Sequence, residues 1–381
     1  MTRIAIPQQT IRWAIDRADV PVSRLHRRFP KLEEWEEGER QPTLKQLEAF
    51  AQATHTPIGY FFLRQPPPEP VPIPDYRTIG NERIGRPTRN LLDTIYLCQQ
   101  RQEWYRNNAR TSGEGQLPFI GSARRVDDIA ETAQRMRTEL GFDLEQRRHT
   151  PTWTEALRLF IEQADRLGVL VMVSSVVGSN TSRKLDPDEF RGFALSDSLA
   201  PVVFVNAADT KAAQMFTLAH ELAHLWLDES ALSDVGPRSE PSHEVEQWCN
   251  QGAAELLAPL ELIRREYRAE APLREELDRL ARRFKVSTLV VLRRIHDAGG
   301  LSRQEFWEAF DAELEFLRQL PRGSGGDFYR STAVRVSKRF ARAVVTAAWE
   351  GRTSFTEAFR LVGCRKLSTF RELGHSLGID A

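Results

Sequence analysis

Cysteine is scarce: the chain of 381 residues has three, Cys98, Cys249 and Cys364, far apart and odd in number. That excludes a disulfide framework and a CxxC zinc ribbon, and it fits a reducing cytoplasm. No stretch approaches the ~20 apolar residues that a membrane span needs. The opening MTRIAIPQQTIRWAIDRADV has no apolar run after Arg3, so no signal peptide is expected. Net charge is missing as well, with 53 Lys+Arg set against 53 Asp+Glu. A generic polycation that coats nucleic acid is therefore disfavoured. Together these absences predict a cytoplasmic chain with no membrane contact.

What is present suffices for a sizeable core, since 41% of residues are hydrophobic, and the length suits two to four units. The zero charge sums unlike regions. Residues 1–65 carry +2, 66–326 carry −7 and 327–381 carry +5. An acidic centre thus lies between two mildly basic ends.

Apolar spacing predicts helices over 8–19 and 43–54, the second opened by Thr43 after Pro42. PPPEPVPIP at 66–74 can be neither helix nor central strand and reads as an extended spacer. Helical periodicity returns at 87–113, 125–140 and 153–167. The period then changes. VLVMVSSVV after Gly168, GFALS at 192–196 and PVVFVN at 201–206 read as three short strands. Helices follow at 208–227 and 243–257, and all-helical patterning resumes over 272–318 and 329–372. PRGSGGD at 321–327 predicts a flexible joint.

The helix at 208–227 contains His220-Glu221-Leu222-Ala223-His224, an HExxH pattern. Residues four apart share one helix face, so both imidazoles can reach one metal ion, with Glu221 placed to activate its water. The polar trio sits between MFTLA and LWL. Burying two His and a Glu there without a partner would be costly. The preceding strand PVVFVN offers an edge for strand addition by a peptide. A catalytic zinc site needs a third protein ligand. The metzincin continuation is absent, because Leu227 and Ser230 stand where Gly and His are required. The next helix, HEVEQWCNQGAAELLAP, offers His243, Glu244, Glu246 and Glu255. Glu246 is the choice, because its face carries the small residues Ala253 and Ala254. Glu244 and His243 stay open as fallbacks, and Glu255 reads as a solvated or structural charge. Asn250, one turn on from Glu246, could steady a ligand histidine through a hydrogen bond. His243 and Tyr267 are candidates for stabilising an oxyanion.

FTLAHELAHLWL followed by VEQWCNQGAAELLAP resembles the ImmA/IrrE family of bacterial zinc metallopeptidases. The resemblance implies His220, His224 and Glu246 as zinc ligands and Glu221 as general base. It departs from the family pattern at Cys249, where Ala is usual, and at Gly252, where Phe is usual. Cys249 beside the site invites oxidation or alternative ligation. The resemblance also implies a narrow protein substrate: a repressor-type regulator, a neighbouring-gene product or a toxin partner, in stress response or mobile-element control.

The ends carry other signals. Residues 1–65 resemble an XRE-type helix-turn-helix, with a shortened and acidic recognition segment, KLEEWEEGE. Acidic groups repel phosphate, so protein docking is favoured over DNA. LARRFKVSTLVVLRRI at 280–295 has a helix-turn-helix cadence with Arg282, Arg283, Lys285, Arg293 and Arg294 around it. It reads either as two packed helices with solvated arginines or as a DNA or protein contact. In the tail, Arg335, Lys338, Arg339 and Arg342 recur at helical spacing, and the acidic centre is an available partner for them.

The expected architecture is α+β and mostly helical, with a zincin-like, gluzincin-type core on a small sheet of about three strands. Its expected parts are a degenerate helix-turn-helix unit at 1–65, a Pro-rich linker at 66–80 and a helical segment at 81–150. The zinc peptidase core follows at 151–270, then a helical extension at 271–320 and a basic tail at 327–381. The leading expectation is a zinc endopeptidase. The alternative is a regulator or antitoxin with a structural zinc site. A third expectation is a latent peptidase held shut by the tail.

Overall fold

A computed structural model describes residues 3–18, 20–76, 87–233, 243–319 and 332–379. The chain divides into two compact units, Met1–Pro72 with Gly85–Tyr96, and Ile73–Ile84 with Leu97–Ala381. None of the described helices is long and apolar enough to cross a membrane. The joint expected at 321–327 lies outside the described residues.

The first unit holds α1 (Gln8–Arg17), α2 (Val22–Arg28), α3 (Leu32–Glu36), α4 (Leu44–Ala53) and a 3-10 turn at Ile58–Phe62. Ile11, Leu25, Leu32, Trp35, Phe50 and Phe61 form its core. Thr43 and Gln46 close a reciprocal capping box that starts α4 where the sequence placed it. The shortened, acidic segment KLEEWEEGE contains the five-residue α3, with buried Leu32 and Trp35 and acidic Glu33 and Glu34 in its first turn.

Helices α5 (Arg89–Thr111), α6 (Ile129–Leu140), α7 (Leu144–Arg148) and α8 (Trp153–Leu167) precede the sheet. Strongly amphipathic α8 is capped by Thr152 and ends at Gly168, whose φ of 115° suits a left-handed C-cap. The strands are β1 (Leu170–Ser174), β2 (Gly192–Leu195), β3 (Val202–Asn206) and β4 (Ala231–Ser233). Their order is β1-β3-β2-β4, with β1 parallel to β3 and the other two pairs antiparallel.

Two expectations need correction. The sheet has four strands among the described residues, not about three. The extra one, Ala-Leu-Ser, is too short to show a period of two. PVVFVN is not an edge either: β3 lies between β1 and β2, and among the named strands the edge nearest the HExxH helix is β4.

Helix α9 (Lys211–Trp226) crosses β2 and β3, and α10 (Glu244–Leu257) packs on α9 and α6. Every residue of α9 from Leu218 to Trp226 is buried, as a helix apolar on all sides must be. Beyond them come α11 (Leu260–Glu266), α12 (Leu273–Phe284), α13 (Thr288–Asp297) and α14 (Arg303–Gln319). The 280–295 region does form helix, turn and helix, with Lys285 at φ 53° in the turn. Its arginines are not all solvated, however. Arg283 is buried against Glu145, Glu266 and the Leu144 carbonyl, and Arg294 against Glu255 and the Ala258 carbonyl. Those two cations are spent inside the fold, which removes part of the expected basic face, while Arg282 and Arg293 stay exposed.

The tail forms α15 (Thr332–Arg335), α16 (Lys338–Trp349), α17 (Phe355–Val362) and α18 (Leu367–Ser376). Helices α15 and α16 pack on β1, the far edge of the sheet. Lys338 pairs with Glu162 at 2.9 Å and Arg339 with Glu114 at 3.1 Å, so the tail's charge meets acidic partners in the same chain. Ser337 donates to the buried Asp165 carboxylate at 3.0 Å, which also accepts from the Val171 amide.

Burial pushes Asp165 up to about 6 against an ordinary 3.8, with Ser337 and Val171 only partly opposing it. A carboxyl raised by folding favours the protonated fold, so its contribution is fully present below pH ~4 and lost as pH rises through about 6. The loss amounts to about 3 kcal/mol. Thermal unfolding of the wild type should therefore fall relative to Asp165→Asn between pH 4 and pH 7. Parallel pH profiles of the two proteins would contradict this.

Candidate metal centre

Thr210 caps α9 by accepting from the Ala213 amide, and the helix then carries His220 and His224 to one face four residues apart. On α10, Glu246 sits in the first turn and points at the same place. His220 Nε2 and His224 Nε2 are 3.1 Å apart, His220 Nε2 and Glu246 Oε2 3.2 Å, and His224 Nε2 and Glu246 Oε1 3.0 Å. His220 and His224 are fully buried and Glu246 is 2% exposed. Nitrogen and oxygen ligands held at about 2.0–2.2 Å around a tetrahedral zinc stand roughly 3.3 Å apart. The donor set, its spacing and its burial fit that ion.

Glu221 is fully buried beside the triad, and neither of its carboxylate oxygens meets a hydrogen-bond partner of normal geometry. Burial, and then the Glu246 charge, push its carboxyl well above the usual carboxylate range, with the Ser233 hydroxyl opposing. Burial pushes Glu246 up too, but the His220 and His224 imidazoles outweigh it and hold the carboxyl well below that range. Burial lowers His224, with Glu246 opposing. The pattern is one firmly ionised carboxylate among two imidazoles, and a second carboxyl of raised proton affinity at their side.

The other expected residues fall elsewhere. No hydrogen bond joins Asn250 to either histidine: Asn250 Oδ1 and both histidine Nδ1 atoms are buried without partners. His243, the residue before α10, is exposed and packs at 5.0 Å on Tyr76. Glu244 is exposed and pairs with Arg125. Glu255 is structural, binding Arg294 and the Leu260 amide. Tyr267 lies against Gly300, away from the triad's cleft. Cys249 is fully buried, and burial with the Glu246 and Glu221 charges pushes its thiol well above the ordinary range. A protonated, buried thiol is a poor ligand and a poor target for oxidants.

Two residues escaped sequence reasoning. Ser233, at the end of β4, is fully buried with Oγ 3.3 Å from His224 Nε2 and 3.5 Å from Glu246 Oε1. Tyr76 lies face to face with the His224 ring at 6.4 Å and donates weakly to Glu229 at 3.4 Å. Tyr76, Glu229, His243, Glu244, Val245 and Arg125 line a cleft of about 450 Å³. No short-range signal marks either residue, since one ends a three-residue strand and the other follows a proline run.

Comparison with known proteins bears on this arrangement directly. Residues 164–296 match the Peptidase_M78 model, the IrrE N-terminal-like domain. Residues 336–376 match a domain of unknown function, DUF8813. The radiation response metalloprotease IrrE of Deinococcus deserti is 38% identical over 96 residues, which is 24% of this chain and 34% of that protein. IrrE of Deinococcus radiodurans is 37% identical over 93 residues, 23% of this chain and 28% of that one. The chain thus spans about a third of the length of these relatives. The whole HExxH helix and α10 lie inside the IrrE-like stretch.

The carboxyl of Glu221 packs against β2 only because Gly192 has no side chain. A Cβ there would lie 2.6 Å from Thr217 Cγ2, 2.8 Å from the Phe204 carbonyl oxygen and 3.1 Å from Glu221 Oε1. Since the Phe204 oxygen is main chain of β3, the β2–β3 pairing itself must shift. Gly192→Ala should cost about 1–3 kcal/mol, lowering the melting temperature by several degrees. An unchanged melting temperature would show that the close approach is not needed.

Proposed function

We propose that this chain is a zinc-dependent endopeptidase that hydrolyses a peptide bond in a specific protein. The observation that carries the reading is the convergence of His220, His224 and Glu246 beside a buried Glu221 with no partner of its own. The similarity of residues 164–296 to an IrrE-type domain supports it. His220, His224 and Glu246 would hold the ion. Bound there, zinc supplies Lewis acidity to the scissile carbonyl and acidity to a water. Glu221 would accept the proton of the attacking water and return it to the leaving amine, as a carboxylate beside the ion can. The apolar packing of α9 keeps bulk water from these groups.

We further infer that the substrate is a repressor-type regulator or other neighbouring-gene product, a toxin partner included. The first unit is assigned to protein docking. Its α3 carries Glu33 and Glu34 where a DNA reader would need neutral or basic groups. A structural zinc in a DNA-binding regulator is the lesser reading for the same reason.

Glu221→Gln should retain zinc by elemental analysis and lose about 10²–10⁴-fold in cleavage of the neighbouring-gene product. His220→Ala should lose the metal. Proteolysis unchanged in Glu221→Gln would sink the assignment.

A further inference from the structure

The peptidase reading requires an extended segment of substrate to lie beside the metal triad, and the sheet offers one place for it. Among the described strands, β4 is the edge on the side of α9, and its last residue, Ser233, touches His224 and Glu246. A chain added to the outer edge of β4 would therefore run past the triad, using main-chain hydrogen bonds that any sequence can make.

That edge already has a strand on it. The Leu232 amide donates to the Pro74 carbonyl at 2.9 Å, and the Tyr76 amide donates to the Leu232 carbonyl at 2.9 Å. Asp75 and Leu232 form a parallel bridge. The end of the proline-rich segment, expected to be a free spacer, is thus paired with the sheet. From there the Tyr76 ring reaches over His224 and against His243, and it lines the cleft beside the triad.

We propose that Pro74–Tyr76 is an intramolecular strand holding the edge where an extended peptide substrate binds, and that the substrate enters by displacing it. The inference rests on the peptidase reading above. Three features suit an exchangeable occupant rather than a permanent fifth strand. Among the described residues the bridge is one residue long and carries two backbone hydrogen bonds. Pro74 has no N–H, so it cannot donate to extend the pairing on its own side. The ring that lies parallel to His224 belongs to the same three residues, so one movement shifts the strand and the ring together. An incoming peptide can replace both hydrogen bonds and add more, because its own amides need not include a proline. In this arrangement the chain regulates its own access, and it does so through the linker. The tail packs at the opposite edge of the sheet.

The test uses the full chain loaded with zinc and two probes, a tripeptide hydroxamate that needs the β4 edge and acetohydroxamate that needs only the metal. Tyr76→Pro removes the donated N–H and the ring together, whereas Tyr76→Phe keeps both. Tyr76→Pro should tighten the tripeptide hydroxamate about tenfold, with acetohydroxamate unchanged and Tyr76→Phe like the wild type. Hydrogen exchange on the wild type gives an independent reading that no misfolded variant can obscure. Saturation with the tripeptide hydroxamate should speed exchange of the Tyr76 amide and leave the Leu232 amide protected. A Tyr76 amide protected throughout, or a Tyr76→Pro variant that binds the peptide no better, would overturn the proposal while leaving the metal site intact. If no form of the chain holds zinc, the peptidase reading fails and this inference with it.

Discussion

Everything around the site follows from burying three ionisable groups in one apolar helix. His220, Glu221 and His224 have no exposed surface, and they alternate along α9 with Leu218, Leu222, Leu225 and Trp226 of the main hydrophobic core. Such groups are expensive to bury unless they have partners. Glu246 answers the two imidazoles, and a cation would complete the set. Neither carboxylate oxygen of Glu221 meets a hydrogen-bond partner of normal geometry among the described residues, and the Ser233 hydroxyl only partly offsets its burial. The sheet beneath adapts to it, since Gly192 leaves out the side chain that would collide with α9.

This constraint also sets the division of labour along the chain. Charged side chains elsewhere are spent on holding helices around the core. Arg294 and Glu255 join α13 to α10, Arg283 and Glu145 join α12 to α7, and Lys338 and Glu162 join α16 to α8. The zero net charge therefore reflects pairing within the chain more than a surface made for nucleic acid. Each edge of the sheet is covered by a different device, helices α15 and α16 at β1 and the Pro74–Tyr76 segment at β4.

Much of this was legible in the sequence, for reasons that can be named. The helix predicted over 153–167 ends at the same residues in the structure, because Thr152 caps it and Gly168 stops it. HExxH fixed the two histidines, and the small residues near Glu246 favoured it over Glu244 and Glu255 as the third member. What was not legible depends on contacts distant in sequence. β4 is three residues long, Ser233 reaches the site only because that strand pairs with β2, and Tyr76 arrives from more than 140 residues upstream. The fate of Arg283 and Arg294 was hidden for the same reason, since a basic face looks alike whether it meets water or buried carboxylates.

The central claim is that His220, His224 and Glu246 form one zinc site. X-ray absorption at the zinc edge of the loaded full chain tests it most directly. The expected spectrum shows two imidazole nitrogens at about 2.0–2.1 Å and carboxylate oxygen at about 2.0–2.2 Å, with no sulfur. A sulfur shell near 2.3 Å would instead place Cys249 on the metal and contradict the assignment, as would a chain that binds no zinc at all.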